Sequence, residues 1–85
     1  MITIFENNAK HIFRNAKGHL SQDTPENREL LMSIVTDKNL NGVDENGTSW
    51  YSKIFPDETQ VWVCVRDSKI RNGGINLKPR KLPPI

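Results

Sequence analysis

The stretch "TQVWVCVRDSKIRNGGIN", residues 59–76, alternates valine with other residues at every step of its first half. Side chains of an extended chain point to opposite faces with a period of two. Val61, Val63 and Val65 therefore share one face, and Gln60, Trp62, Cys64 and Arg66 the other. Asp67-Ser68 reads as a two-residue turn, and residues 69–71 return as the next strand. Asn72-Gly73-Gly74 reads as a bulge or sharp bend, after which Ile75 and Leu77 resume the strand. Upstream, "SWYSKIF" (residues 49–55) alternates in the same way.

Two turn assignments fix the pairing. A four-residue hairpin loop at residues 56–59 sets Phe55 opposite Gln60, Ile54 opposite Val61, Lys53 opposite Trp62 and Tyr51 opposite Cys64. The Asp67-Ser68 turn sets Val65 opposite Ile70 and Cys64 opposite Arg71. Facing residues share a side of the sheet. The expected core face is then Trp50, Ser52, Ile54, Val61, Val63, Val65 and Ile70. The expected outer face is Tyr51, Lys53, Phe55, Gln60, Trp62, Cys64, Arg66, Lys69 and Arg71. Aromatic rings and cations together on one face suit stacking on bases and contact with phosphates. A cross-strand aromatic patch flanked by solvated charges accounts for the same composition.

Two helices precede the sheet. Residues 24–36 begin with Thr24 as N-cap, Pro25 at the first helical position and Glu26 at the positive end of the helix dipole. Leu30, Leu31, Ile34 and Val35 form the apolar stripe. Residues 6–17 place Ala9, Ile12, Phe13 and Ala16 on one stripe, with Gly18 as C-cap. Lys10, Arg14 and Lys17 form a cationic flank, His11 lies on the side of Arg14, and His19 follows the cap. Asn46-Gly47 marks a turn. The expected architecture is α+β, two N-terminal helices packed on a three- to four-stranded antiparallel sheet. Residues 1–77 form a single domain, and residues 78–85, "KPRKLPPI", a basic, proline-rich extended tail.

A chain of 85 residues, 35% hydrophobic and 26% charged, holds one domain with a modest core. A single cysteine allows no internal disulfide, and Cys64 within a strand reads as a small buried thiol. No apolar run approaches the roughly 18 residues of a membrane span. The N-terminus lacks the basic start and apolar run of a signal peptide, so any export is expected to use a larger parent chain, or there is none. Charge is uneven. Residues 66–85 carry six cations and one acid, a net +5, and residues 1–20 carry a net +2. Residues 21–65 between them carry three cations and eight acids, a net −5. If the ends meet, they form a cationic site beside an acidic flank.

The residue inventory has no metal-ligand spacing, since His11 and His19 are eight apart and no Cys pair or HExxH pattern is present. "NGGIN" is no phosphate loop, and no cofactor is implied. Metal-free acid–base chemistry remains, and RNA cleavage suits it: a base takes the 2′-hydroxyl proton, the oxygen attacks the adjacent phosphate, and an acid protonates the leaving 5′ oxygen. His11 or His19 supplies the proton relay, Arg14, Lys53, Arg66 and Arg71 the phosphate contacts, and Tyr51 an auxiliary acid.

The fragments "HIFR", "GHL", "TPENRELL", "SWY.K", "TQVWV.VR" and "NGGIN" resemble a toxin domain at the C-termini of bacterial polymorphic toxins, including contact-dependent inhibition proteins of the filamentous haemagglutinin type. The resemblance covers about residues 10–76. Such domains are similar to the barnase–EndoU–colicin–RelE group of small ribonucleases, with N-terminal helices on an antiparallel sheet and the active site on the open face. The resemblance implies a metal-independent endoribonuclease, often directed at tRNA, carried at the cell surface or secreted within a larger protein. It further implies action in the target-cell cytoplasm, and neutralisation by a cognate immunity protein that is acidic where it plugs the site, in a toxin–immunity heterodimer or from a free monomer. Carried over by position, the catalytic candidates are His11, Arg14, His19, Tyr51, Lys53 and Arg66. The substrate-binding candidates are Gln60, Trp62, Lys69, Arg71, Asn72 and Asn76. Glu58 in "PDETQ" departs from the pattern, standing where glycine is expected, and the "KPRKLPPI" tail has no counterpart. A non-catalytic RNA-binding module and a protein-interaction module are the alternative readings of the same face.

Overall fold

A computed structural model describes residues 2–84. Five strands form one sheet: β1 (Thr3–Ile4), β2 (Leu40–Val43), β3 (Ser49–Ile54), β4 (Gln60–Arg66) and β5 (Lys69–Asn76), in the order β1-β5-β4-β3-β2. β1 runs parallel to β5, and the other neighbours are antiparallel. The helices are α1 (Ala9–Ile12) and α2 (Pro25–Ile34). The α+β class holds, but the sheet is mixed and has one strand more than expected. Among the described residues no helix is long and apolar enough to cross a membrane.

α2 follows its local signals. Thr24 Oγ1 accepts from the Asn27 amide at 3.1 Å and Pro25 opens the first turn, as a capped N-terminus requires. Its buried residues Leu31 and Ile34 pack on Val61, Val63 and Ile70, all 1% exposed or less. α1 is much shorter than the apolar stripe suggests. Phe13 leaves helical geometry (φ −103°, ψ 98°) and bridges to Leu20, and the Arg14 amide donates to the Leu20 carbonyl at 3.0 Å. A four-residue helix contributes little of its own stability, so burying Phe13 and closing a loop over residues 14–19 prevails.

The β3–β4 register differs from expectation by one residue. Ile54 pairs with Gln60, Ser52 with Trp62, Tyr51 with Val63 and Trp50 with Cys64. The cause is a three-residue loop in place of a four-residue one. The Phe55 amide donates to Thr59 O at 2.8 Å, the Glu58 amide donates to Phe55 O at 2.9 Å, and Glu58 takes φ +74°. That is a type I turn closed by a left-handed residue, a position that favours glycine. A one-residue slip turns every β3 side chain over. Tyr51 and Phe55 pack against the core under α2, and Trp50 and Ser52 join Trp62 on the opposite face. The expectation that Tyr51, Lys53 and Phe55 share a face with Trp62 is thus corrected, as is the core placement of Trp50, Ser52 and Ile54.

The second hairpin keeps its expected turn. Asp67 and Ser68 both take positive φ (54° and 61°), and Arg66 pairs with Lys69 and Val65 with Ile70. Beyond it Arg71 is an extra residue on β5, so Cys64 pairs with Asn72 rather than Arg71. β5 then runs unbroken through both glycines to Asn76. Gly73 and Gly74 are there for close approach, not to end the strand. A Cβ on Gly73 would crowd Leu31 of α2 at 3.2 Å. One on Gly74 would collide with the Gly18 carbonyl on the other side of the sheet.

Gly74→Ala is therefore expected to cost about 3 kcal/mol, lowering the thermal midpoint by more than about 10 °C. Gly47→Ala, where an added Cβ meets nothing within 4 Å but φ is +80°, should cost about 1 kcal/mol. Thermal unfolding of the two variants checks the contrast, and equal losses would contradict the close approach at Gly74.

Candidate functional site: a covered face with a histidine pair

The face opposite α2 carries Gln60, Trp62, Cys64, Asn72 and Asn76 from the central strands and Trp50 and Ser52 from β3. It is not open. Trp62 is 9% exposed, Gln60 5% and Cys64 4%. Two coil segments cover it. Residues 16–19 lie over Gly74, and the Trp62 indole N–H donates to Gly18 O at 3.1 Å. The C-terminal segment lies over Gln60, whose amide exchanges two bonds of 3.0 Å with the backbone of Arg80.

The loop brings three candidates together. The His19 ring stands edge-on to Trp62 with centroids 5.7 Å apart, and His11 stands edge-on to His19 at 6.2 Å. Trp50 stacks on Trp62 at 6.0 Å and 18°. His11, His19, Trp62 and Trp50 thus form a row across the face. His19 Nδ1 lies 2.9 Å from Ile12 O, and its Nε2 lies 3.2 Å from Arg14 Nη2. A carbonyl only accepts and a guanidinium only donates. His19 therefore carries its proton on Nδ1 and offers the Nε2 lone pair to Arg14.

Beside this row lies a cleft of about 640 Å³ lined by residues 16–19, residues 75–78 and Arg80. A smaller one of about 320 Å³ adjoins it, between residues 17–19 and residues 80–83, with Trp50, Trp62 and Asn76 in its walls. Every ionised side chain lining the two is a cation: Lys17, Lys78, Arg80 and Lys81. Lys78 is paired with Glu58 at 2.6 Å. Among the described residues no carboxylate lies within ion-pair distance of the other three.

Other sequence candidates lie elsewhere. Tyr51 and Lys53 project on the α2 side, Lys53 over the Phe55 ring at 5.1 Å. Lys69 donates to Thr3 Oγ1 at 3.0 Å at the β1 edge. Arg71, the bulge residue, lies 4.0 Å over the Phe5 ring, bonds Arg66 O and approaches Asp67 at 3.6 Å. Arg66 is exposed at the end of β4. Asn72 accepts from the Gly73 amide. Gln60 and Asn76 bond each other at 3.0 Å and are buried. Trp50, expected in the core, and Lys17, Arg80 and Lys81, expected only as members of the two basic ends, join the site. The "PDET" loop, with Asp57 Oδ1 accepting from the Thr59 amide and hydroxyl, was the signal that would have moved Trp50 to the correct face.

The thiol of Cys64 is pushed up to about 12, first by burial and second by the charge of Asp44. It is an inert packing group at neutral pH. Among the described residues no three His, Cys, Asp or Glu side chains cluster to hold a metal ion. No protein-family model, curated protein or solved structure matches the chain.

Asp44 fixes the outer end of the ring row. It accepts from the Trp50 indole N–H at 3.0 Å and from the Asn46 and Thr48 amides. The Trp50 bond, then that of Thr48, holds its carboxyl below the ordinary 3.8. A depressed folded value means that stability is present in full above the unfolded value and is lost as pH falls through the folded one. The Trp50 Nε1–H resonance should therefore show a shift centred below about pH 4, and Asp44→Ala should abolish that shift. An acid shift that persists in Asp44→Ala would contradict the assignment.

Proposed function

We propose that the protein is an endoribonuclease that works without a metal ion, with its centre at His11, Arg14 and His19. One observation carries the reading: a guanidinium and two imidazoles meet beside clefts whose ionised lining groups are all cations. Among common biological substrates, a polyanionic strand with a neighbouring hydroxyl matches both halves of that arrangement.

The imidazole rings are in edge contact, too close for a phosphate to pass between them. A phosphate is instead held against their outer edges by Arg14, Lys17 and Arg80. Drawing the Arg14 guanidinium onto a phosphate oxygen releases His19 Nε2, whose lone pair then takes the 2′-hydroxyl proton. The 2′ oxygen bonds to phosphorus, the bond to the 5′ oxygen breaks, and His11 donates the proton that this oxygen needs. The products are a 2′,3′-cyclic phosphate end and a 5′-hydroxyl end. Cations on the equatorial oxygens stabilise the added charge of the transition state. Tyr51, Lys53, Lys69 and Arg71 have no part in this scheme. The direction toward tRNA, the toxin role, carriage within a larger secreted or cell-surface protein and the immunity partner rest on the sequence resemblance.

A second reading, a non-catalytic RNA-binding module, is favoured by the full engagement of both His19 nitrogens. It gives salt-sensitive binding without cleavage.

The purified protein is expected to cut single-stranded RNA and tRNA in EDTA, leaving cyclic phosphate ends. His19→Asn keeps a donor toward Ile12 O but has no titratable nitrogen, and should cut at least ~100-fold more slowly, as should His11→Ala. Intact RNA, or full activity in the two variants combined, overturns the proposal.

A further inference from the structure

We infer that in the free protein residues 80–84 occupy a nucleobase subsite made by Gln60, Asn76 and the Trp50–Trp62 pair, and that a base of single-stranded RNA displaces them. The inference rests on the RNA reading above and names what part of the strand this face takes.

Gln60 carries the argument. Gln60 is 5% exposed and its neighbour Asn76 7%. Burying two carboxamides is unfavourable unless every polar atom finds a partner. Here Gln60 Oε1 accepts from Asn76 Nδ2 and from the Arg80 amide, and Gln60 Nε2 donates to Arg80 O, each at 3.0 Å. The Gln60 amide is thus closed onto an N–H and a C=O standing side by side. Uracil and guanine present that same pair on their Watson–Crick edges, and proteins read unpaired bases by such bonds together with stacking on rings. The Trp50–Trp62 stack lines a small cleft of about 320 Å³ together with Asn76 and Arg80, the two partners of the Gln60 amide. That volume is at the lower end of ligand sites. His19 and Lys17 line its other side, so a base at Gln60 puts its phosphate next to the proposed centre.

The present occupant is held weakly. Among the described residues 79–84, the two bonds between the Arg80 backbone and the Gln60 side chain are the only hydrogen bonds to the rest of the chain. Arg80 and Lys81 side chains are exposed, and only Leu82 and Pro84 are half-buried, Pro84 against Gly42. A segment with few bonds and little buried apolar surface opens at low cost. A neutral base edge can replace its peptide group bond for bond.

The test uses the full chain, ¹⁵N-labelled, with hexathymidylate, which has the relevant base edge but no 2′-hydroxyl to cleave, and an abasic deoxyribose-phosphate chain of equal length. Hexathymidylate should abolish the hydrogen-exchange protection of the Arg80 amide and shift the Gln60 side-chain NH₂ signals, and the abasic chain should do neither. Arg80→Pro removes the N–H as well as the charge, and Arg80→Ala the charge alone. Hexathymidylate should bind Arg80→Pro at least threefold tighter than Arg80→Ala. An Arg80 amide that stays protected at saturation, absence of binding, or equal affinity of the two variants overturns the inference. RNA cleavage with an undisturbed Arg80 would overturn this inference alone. Displacement of Arg80 without RNA cleavage would support the subsite and defeat only the catalytic reading.

Discussion

A backbone carbonyl rests on the sheet where a side chain would otherwise stand. Gly74 has no Cβ, so the Gly18 peptide comes down onto β5, and the Trp62 indole donates to it from the adjacent strand. That contact fixes the whole loop over residues 14–19. The loop in turn places His19 against Trp62 and Arg14 against His19. Without the glycine the loop could not approach, and the imidazole pair would lose its floor. The same contact pins the Trp62 indole beneath the loop.

The rest of the face follows from polar satisfaction. Gln60 and Asn76 are buried amides on neighbouring strands, and their remaining bonding capacity is met by one peptide of the C-terminal segment. Cations from three parts of the chain, residues 14–19, Lys78 and residues 80–81, converge there. On the opposite side Arg28 of α2 holds Asp23 and Glu6 in ion pairs of 2.5 and 2.6 Å. Both carboxyls lie below their ordinary values because of the bonds from Arg28.

Legibility in the sequence tracked how local each signal was. α2 was readable because its cap, proline and stripe lie within one segment. Val61, Val63, Val65 and Ile70 were readable as core because the Asp67-Ser68 turn sets their register directly. The β3 register was not, and two loops of one type show why. Residues 44–48 and 55–59 close with the same pair of backbone bonds, and the left-handed position is Gly47 in one and Glu58 in the other. Only the first announces itself. The slip carried Trp50 into the expected core and Tyr51 out of it. β1 and β2, of two and four residues, are too short to show a period. The long first helix failed because Phe13 pairs with Leu20, a tertiary contact that a periodic stripe does not encode. The covering loop and tail were invisible for the same reason. His11, Arg14 and His19 were legible as residue types, but their meeting over Trp62 was not.

The indole proton of Trp62 tests this account most directly. In the free protein its Nε1–H should exchange slowly with solvent and show nuclear Overhauser contacts to the Gly18 α-protons and the His19 ring. Exchange as fast as that of a free indole, with contacts to neither residue, would contradict it.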